Sequence, residues 1–169
     1  MCARAYDSSH TKQPDQHGNT PLNYACAMGV SSAVILKMIE HGADVTIANK
    51  TGAVPLTHAV YSKLEPAIVE ALVKAGADVN YKNESGGTAL QIACVCKAGM
   101  PLVAKLVELG ADADMCNNHG HSALMFAVRN HNEMEVVDFL AERTKNINQK
   151  IHAEVRARVL ASERANTKD

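Results

Sequence analysis

The stretch from Gly18 to Ala25 reads GNTPLNYA, and its pattern returns three times at intervals of 34 residues. The later copies are GAVPLTHA from Gly52, GGTALQIA from Gly86 and GHSALMFA from Gly120. Each copy begins with a glycine, has a leucine four residues later and ends with an alanine. Four copies in one register identify an internal repeat, which is the sequence sign of an array of similar structural units.

Each repeat carries the pattern of two short helices. The first helix is predicted to open at Thr20, Val54, Thr88 and Ser122, a column whose hydroxyl can cap a helix in three copies. The second helix has aliphatic residues at i, i+1, i+4 and i+5, which lays one apolar stripe along one face. The second helix is predicted to end at a Gly-Ala-Asp triplet, because a glycine in the left-handed conformation can close a helix. The glycines of these triplets are Gly42, Gly76 and Gly110.

These residues resemble the ankyrin repeat, a unit of one turn and two helices with a TPLHxA signature. The resemblance covers Asp15 to about Asn148. It implies an all-α solenoid, a curved array of helix-turn-helix pairs joined by hairpin-like turns. We expect an ankyrin repeat domain over residues 15–148, with repeats at about 15–48, 49–82, 83–116 and 117–148.

Two features depart from the family pattern. The family's histidine after TPL is replaced in all four copies, by Asn23, Thr57, Gln91 and Met125. The hydrogen bond that this histidine makes with the threonine must therefore be absent or remade. The period is 34 residues rather than about 33. The additional residue falls between the two helices and predicts a longer turn there.

Both ends are predicted to differ from the repeats. Residues 1–14 lack periodicity and are expected to form a flexible N-terminal extension. Residues 149–169 are expected to form a C-terminal capping helix and tail, because Ile151, Val155 and Val159 make a narrow apolar stripe on a charged segment.

In the first repeat, Asn23 and Tyr24 replace the family's His and Leu. These polar replacements predict a first repeat that tolerates contact with water.

The composition argues against several classes of protein. Aromatic residues make up 4% of the chain and Trp is absent, which disfavours an aromatic-rich sandwich or an RNA-stacking sheet. The net charge is −1 with no long block of like charges, so nucleic-acid binding is not expected. No apolar stretch is long enough for a membrane span, and the polar start is not a signal peptide. Five cysteines without a recurring spacing predict reduced thiols in the cytoplasm, with the nucleus as the alternative.

The resemblance implies a surface that binds proteins. In the family, the turn tips and the first helices form a concave face that holds partners. Carried over copy by copy, the predicted binding residues are His17, Asn19, Met28, Lys50, Thr51, Tyr61, Glu84, Ser85, Cys96, His119, His121 and Arg129. Tyr61 and Arg129 rank first because Tyr and Arg are the commonest hot-spot residues. We expect a monomeric, non-enzymatic interaction module without a cofactor, acting as an adaptor or stoichiometric inhibitor of another protein.

An alternative function places the protein in a different class. The chain would then be a structural spacer or a fragment of a larger ankyrin-repeat protein, and it would stack or self-associate through its uncapped first repeat. Met28 and Cys26 lie in that repeat, so this form would bury them. No GxSxG, phosphate-loop or HExxH motif points to an enzyme.

Three smaller features could have a functional role, but we prefer a structural interpretation for each. Cys116, His119 and His121 could bind zinc or copper, but three ligands on one loop favour a coincidental polar tip, and we expect no metal. His58 lies in a column expected inside the array, as a core histidine with Tyr24 as a candidate partner. The segment ending at Asn80 looks like a sequence that asparaginyl hydroxylases accept, although it is also ordinary repeat consensus.

Overall fold

The computed structural model describes residues 14–145, and this part of the chain contains eight α-helices and no strand. The helices are α1 (Pro21–Met28), α2 (Ser32–Glu40), α3 (Pro55–Tyr61), α4 (Pro66–Lys74), α5 (Ala89–Cys96), α6 (Met100–Glu108), α7 (Ala123–Arg129) and α8 (Met134–Arg143). They form four pairs, one for each repeat. The predicted all-α array of helix-turn-helix units is therefore confirmed, while the capping helix predicted over residues 149–169 and nearly all of the N-terminal extension lie outside the described residues.

The helices lie in two rows. The inner helices α1, α3, α5 and α7 pack side by side, the outer helices α2, α4, α6 and α8 do the same, and the two helices of each repeat pack together. Aliphatic side chains fill the space between the rows, and the largest fully buried ones include Leu22, Ile35, Leu56, Ile68, Leu72, Leu90, Leu106 and Leu140. The alanine column is buried on the inner helices, where a methyl group lets neighbouring helices approach closely.

The inner helices begin at the predicted hydroxyl column. The side chains of Thr20 and Ser122 accept hydrogen bonds from the N–H groups of Asn23 (3.2 Å) and Met125 (3.4 Å), three residues further on. The same bond recurs in the third repeat, whereas the second repeat has Val54 at this position. There the hydroxyl of Thr57 takes over, because it accepts from the Val54 N–H (3.0 Å) and donates to the Val54 carbonyl (2.8 Å).

The outer helices of the first three repeats end at the predicted glycines. Gly76 has φ +107°, its N–H donates to the carbonyl of Val73, and the N–H of Ala77 donates to the carbonyl of Leu72, each at 3.0 Å. This pair of bonds is the Schellman closure of a helix. The fourth repeat has no such glycine, and Thr144 is extended there instead.

Every turn between the helices of a repeat has a residue with positive φ two positions after the inner-helix column of Ala27, Tyr61, Val95 and Arg129. The first repeat uses Gly29, and the later repeats place Lys63, Lys97 and His131 at φ 54°, 54° and 53°. Side chains larger than glycine are uncommon in this conformation. The longer turn predicted from the 34-residue period therefore contains a left-handed position that usually carries a basic residue here.

The turn tips that open the repeats are built around one side-chain oxygen. Asp15 Oδ1 accepts hydrogen bonds from the N–H groups of His17 and Asn19, both at 2.8 Å. The same two bonds recur 34, 68 and 102 residues later, on Asn49, Asn83 and Asn117. Because the side chain replaces backbone partners within the turn, every tip is fixed locally.

Candidate protein-binding site

The ends of the inner helices are tied to one another across the repeats. The hydroxyl of Ser62 donates to the carbonyl of Ala27 at 2.8 Å, which joins the end of α3 to the end of α1. The amide nitrogen of Asn132 donates to the carbonyl of Cys94 at 2.8 Å and joins the fourth repeat to α5. These bonds satisfy carbonyls that a helix end leaves without a partner, so the ends of the inner helices form a fixed platform.

One column of side chains on this platform is exposed in all four repeats. We call it the inner row, and it consists of Ala27, Tyr61, Val95 and Arg129. Tyr61 is 68% exposed and Val95 is 47% exposed, which is unusual for large apolar side chains. Two predicted binding residues, Tyr61 and Arg129, therefore lie in the same line.

The next column behaves differently because it points back towards the preceding repeat. Ser62 contacts Ala27, and the thiol of Cys96 lies 3.6 Å from the carbonyl of Val60. Cys96, which was predicted as a binding residue, is therefore only half-exposed. Met28 occupies this column in the first repeat and is 76% exposed.

The predicted residues at the turn tips fall into two groups. Those with exposed side chains are His17, Lys50, Thr51, Glu84, Ser85 and His119. Asn19 and His121 are half-buried, since Asn19 Oδ1 accepts from Asn49 Nδ2 at 2.8 Å and the His121 ring packs edge-on against Phe126 with centroids 5.5 Å apart. Neighbouring tips are also joined, for example by the Lys50 N–H to the His17 carbonyl at 2.9 Å.

One residue of the column that replaces the family's histidine joins its repeat to the next. Gln91 is buried, its Nε2 donates to the carbonyls of Met115 (2.7 Å) and His121 (3.2 Å), and its Oε1 accepts from the Thr88 N–H (3.3 Å). The histidine's role is thus remade by a longer amide. The 34-residue period identified Gln91 as the counterpart of the family's histidine. Only the hydrogen bond to His121 shows that its side chain reaches the next repeat.

The expectation that the first repeat tolerates water at Asn23 is wrong, because Asn23 is completely buried. Its Nδ2 donates to the carbonyl of Ile47 at 3.2 Å, while its Oδ1 is buried without a hydrogen-bond partner. The side chain is one methylene shorter than that of Gln91. Tyr24 beside it is exposed, in keeping with that expectation.

The predicted pairing of His58 with Tyr24 is also wrong. The hydroxyl of Tyr24 donates to Asp15 Oδ2 at 2.7 Å, whereas His58 is half-buried with its Nε2 3.5 Å from Asn49 Nδ2. Burial lowers the pKa of His58, which favours the neutral ring. The Tyr24 column is therefore at the margin of the core rather than inside it.

The described cysteines differ in burial, and none of them joins the imidazoles in a group that could hold a metal ion. Burial raises the pKa of Cys26 and of Cys94 to about 12, so both stay protonated. Cys116 is exposed, and its thiol lies 3.6 Å from the carbonyl of Asp114. Within residues 14–145, no three His, Cys, Asp or Glu side chains, including those at Cys116, His119 and His121, come together in a way that could hold a metal ion.

Asn80 has a structural role at the junction of the second and third repeats. Its Nδ2 donates to the carbonyl of Gly110 at 3.0 Å and its Oδ1 accepts from the Asp112 N–H at 2.8 Å. The side-chain amide thus fixes the segment that follows α6. Hydroxylation of Asn80 stays a hypothesis, and a mass shift on its peptide in protein from the native source is the measurement that tests it.

Four stacked helix pairs, each preceded by the same turn, define a helical repeat protein. The sequence identifies its family. The family model for ankyrin repeats (3 copies) matches residues 5–83 and again residues 56–151. The chain therefore belongs to the ankyrin repeat family, whose members are generally protein interaction modules rather than enzymes. A search of curated proteins gives no match. None of the helices within residues 14–145 has the length and apolar character needed to cross a membrane.

Proposed function

We propose that this protein is a non-enzymatic interaction module that binds one protein partner through the face formed by its inner helices and turn tips, the concave face of the family. The observation that carries the proposal is the inner row, in which Tyr61 and Arg129 are exposed on mutually bonded inner helices. Tyr and Arg are the side chains that most often dominate binding energy. Their placement on one rigid line gives a partner two anchoring points.

The rigidity of the platform favours binding. Ordering of loops and side chains at an interface costs about 0.5–1.5 kcal/mol for each flexible side chain. Here the turn tips are already held by Asp15, Asn49, Asn83 and Asn117, and the helix ends by Ser62 and Asn132. A module of this kind acts by occupying its partner's surface. An adaptor or a stoichiometric inhibitor in the cytoplasm or the nucleus fits this mode of action.

The test is affinity capture from an extract of the source cells. The baits are the wild-type chain, a Tyr61→Ala/Arg129→Ala double variant and a Met134→Ala control, which truncates an exposed residue at the start of α8. Circular dichroism and thermal melting confirm that the baits fold. A protein retained by wild type and the control but lost by the double variant supports the proposal. Retention of the same proteins by all three baits contradicts it.

A second candidate function is favoured by one observation on the first repeat. Val34 is 50% exposed, whereas its counterparts Ile68, Leu102 and Val136 are buried against the preceding repeat. This face could stack on another repeat, as a spacer or self-associating chain would require. Sedimentation over a wide concentration range tests it, since a Val34→Glu variant would abolish any dimer that uses this face. A strict monomer at the highest concentration contradicts this candidate.

A further inference from the structure

One flank of α7 is less covered than the same flank of the other inner helices. Ser122 and Met125 are half-buried on this flank. Their counterparts in the first three repeats are buried, at Thr20, Val54, Thr88, Asn23, Thr57 and Gln91. In the third repeat this flank faces the following repeat, because Gln91 donates a hydrogen bond to the carbonyl of His121. The matching flank of α7 is therefore the end surface of the four described repeats.

The same end of the array is open at the turn tip and on the outer helix. A Cβ built on Gly52 would lie 2.7 Å from the backbone nitrogen of Glu84 in the following tip, whereas a Cβ on Gly120 would meet nothing within 4 Å in the described part of the chain. On α8, Asp138 is exposed, while its counterparts in the three earlier repeats are half-buried. The less covered surface therefore extends from α7 onto α8.

The chain leaves α8 in the direction that the earlier repeats take. The N–H of Lys145 donates to Asp114 Oδ2 at 3.1 Å, and one repeat earlier the N–H of Asp112 donates to Asn80 Oδ1 at 2.8 Å. After Asp112 the chain runs on to the next turn tip. Residues 146–169 therefore begin where a fifth repeat would begin, at the end of the array that carries the less covered flank.

Residues 146–169 lack the sequence of a fifth repeat. Ile151 stands in the column of Asn49, Asn83 and Asn117, and its aliphatic side chain cannot accept the hydrogen bonds that hold a turn tip. Ile151, Val155 and Val159 instead recur at four-residue intervals, and residues 149–166 contain neither Gly nor Pro. This pattern favours one helix with a narrow apolar stripe.

Charge favours contact between this segment and α8. Residues 146–169 contain five Lys and Arg against three Asp and Glu, which gives a net charge of +2. α8 contains one arginine and three acidic residues, a net charge of −2, and the exposed acids are Glu135, Asp138 and Glu142. The segment and the surface at the end of the array are therefore complementary in charge.

We propose that residues 149–169 cover the end of the array, with a helix that lies along α7 in the place of a fifth inner helix. The stripe of Ile151, Val155 and Val159 would pack on Met125. The basic side chains beside the stripe would face Asp138, the exposed carboxylate at this end of α8. The occupant of the flank is therefore the protein's own chain.

A covered flank gives the array a defined end. Head-to-tail stacking would place the first repeat of one copy on the α7 flank of another and could continue into a filament. With the flank filled by residues 149–169, self-association through the first repeat would stop at a pair. The inner row and the turn tips stay accessible to a partner, so this inference does not depend on the proposed function.

The probe is the methyl group of Met125 in the full 169-residue chain, labelled with carbon-13 at the methionine methyls and observed by NMR. A Met125→Leu variant assigns its signal, because this exchange keeps the side-chain volume. Val155→Glu puts a charge on the stripe, and Ala157→Glu adds the same charge on the opposite face of the predicted helix. The methyl group of Met28, at the other end of the array, is the internal reference.

We expect Val155→Glu to move the Met125 signal and Ala157→Glu to leave it in place, with the Met28 signal unchanged in both variants. Val155→Glu is also expected to lower the melting temperature by about 4 °C or more, and Ala157→Glu by less than about 1 °C. Val155→Ala, a milder change, is expected to move the Met125 signal in the same direction, which keeps the test valid if Val155→Glu fails to fold.

Two results would overturn the inference. A Met125 signal that does not respond to the Val155 variants, or that responds equally to Ala157→Glu, would show that the stripe does not cover this flank. A wild-type Met125 signal that moves on dilution would show that a second copy covers it instead.

Discussion

Asn23 and Gln91 occupy the same position in the first and third repeats, and only the longer side chain satisfies all of its polar atoms. Gln91 bonds to Thr88, Met115 and His121, while the Oδ1 atom of Asn23 is buried without a partner. The first repeat therefore contains a buried polar group that has lost its bonds to water and gained none in return. A buried group of this kind costs about 1–3 kcal/mol.

Asn23→Gln is expected to raise the free energy of unfolding by about 1 kcal/mol, because the added methylene lets the amide oxygen reach the Thr20 N–H. The reciprocal change, Gln91→Asn, is expected to lower it by about 2 kcal/mol, since the shorter amide cannot keep all of its bonds to Thr88, Met115 and His121. Urea denaturation monitored by circular dichroism measures both. A destabilising Asn23→Gln would show that the first junction has no room for the longer side chain.

Gly86 and Gly120 separate backbone strain from stacking of the turn tips. Both have positive φ, at +75° and +76°. A Cβ on Gly86 would lie 2.8 Å from the backbone nitrogen of Asn118 in the next tip, whereas a Cβ on Gly120 would meet nothing within 4 Å. Gly120→Ala is expected to cost about 1–2 kcal/mol of left-handed strain, and Gly86→Ala an additional 1–3 kcal/mol or so from overpacking. Equal losses in urea denaturation would mean that the tips move apart freely.

Val34 and Val136 test whether the first repeat is covered. They occupy the same column, but Val34 is half-exposed while Val136 is buried. Val136→Ala is expected to lower the free energy of unfolding by about 2 kcal/mol, and Val34→Ala by less than about 0.5 kcal/mol. If Val34→Ala proves as costly as Val136→Ala at low protein concentration, a further segment of the chain covers this face. If its cost grows with protein concentration, self-association covers it.

Most of the fold could be predicted from the sequence, because the same residue pattern recurs in each repeat. The hydroxyl column, the Gly-Ala-Asp triplets and the aliphatic stripe predicted every helix pair within residues 14–145. The column of Asp15, Asn49, Asn83 and Asn117 was equally regular, yet its meaning as the hydrogen-bonding centre of each turn is evident only from distances.

The site was less predictable because exposure depends on the neighbouring repeat. Tyr61 and Cys96 were both predicted to bind, but Tyr61 points away from the array and Cys96 points towards Val60. His58 and Tyr24 share a column and differ in burial, since His58 is half-buried and Tyr24 is exposed. A periodic sequence assigns a position to a column, whereas the ends of the array and the partners of each atom decide what that position does.

His58 predicts how stability responds to pH. Because burial lowers its folded pKa, the unfolded chain takes up a proton below about pH 6.5 that the folded chain does not. Its contribution to stability is therefore complete above that pH and is lost as the pH falls towards the folded pKa. His58→Ile removes this loss and introduces the side chain that the third repeat carries in the same column, at Ile92. Free energies of unfolding measured between about pH 7.5 and pH 5.5 should fall more for wild type than for the variant. Identical pH dependence would show that His58 is solvated.

The central claim is that the inner row binds the partner, and its most direct test is the dissociation constant of the purified captured protein. Calorimetry compares wild type with Tyr61→Ala and with Met134→Ala, which truncates an exposed side chain elsewhere. The account predicts that Tyr61→Ala weakens binding by about 30-fold and that Met134→Ala changes it by less than about twofold. Equal dissociation constants for wild type and Tyr61→Ala, with both proteins folded, would contradict it.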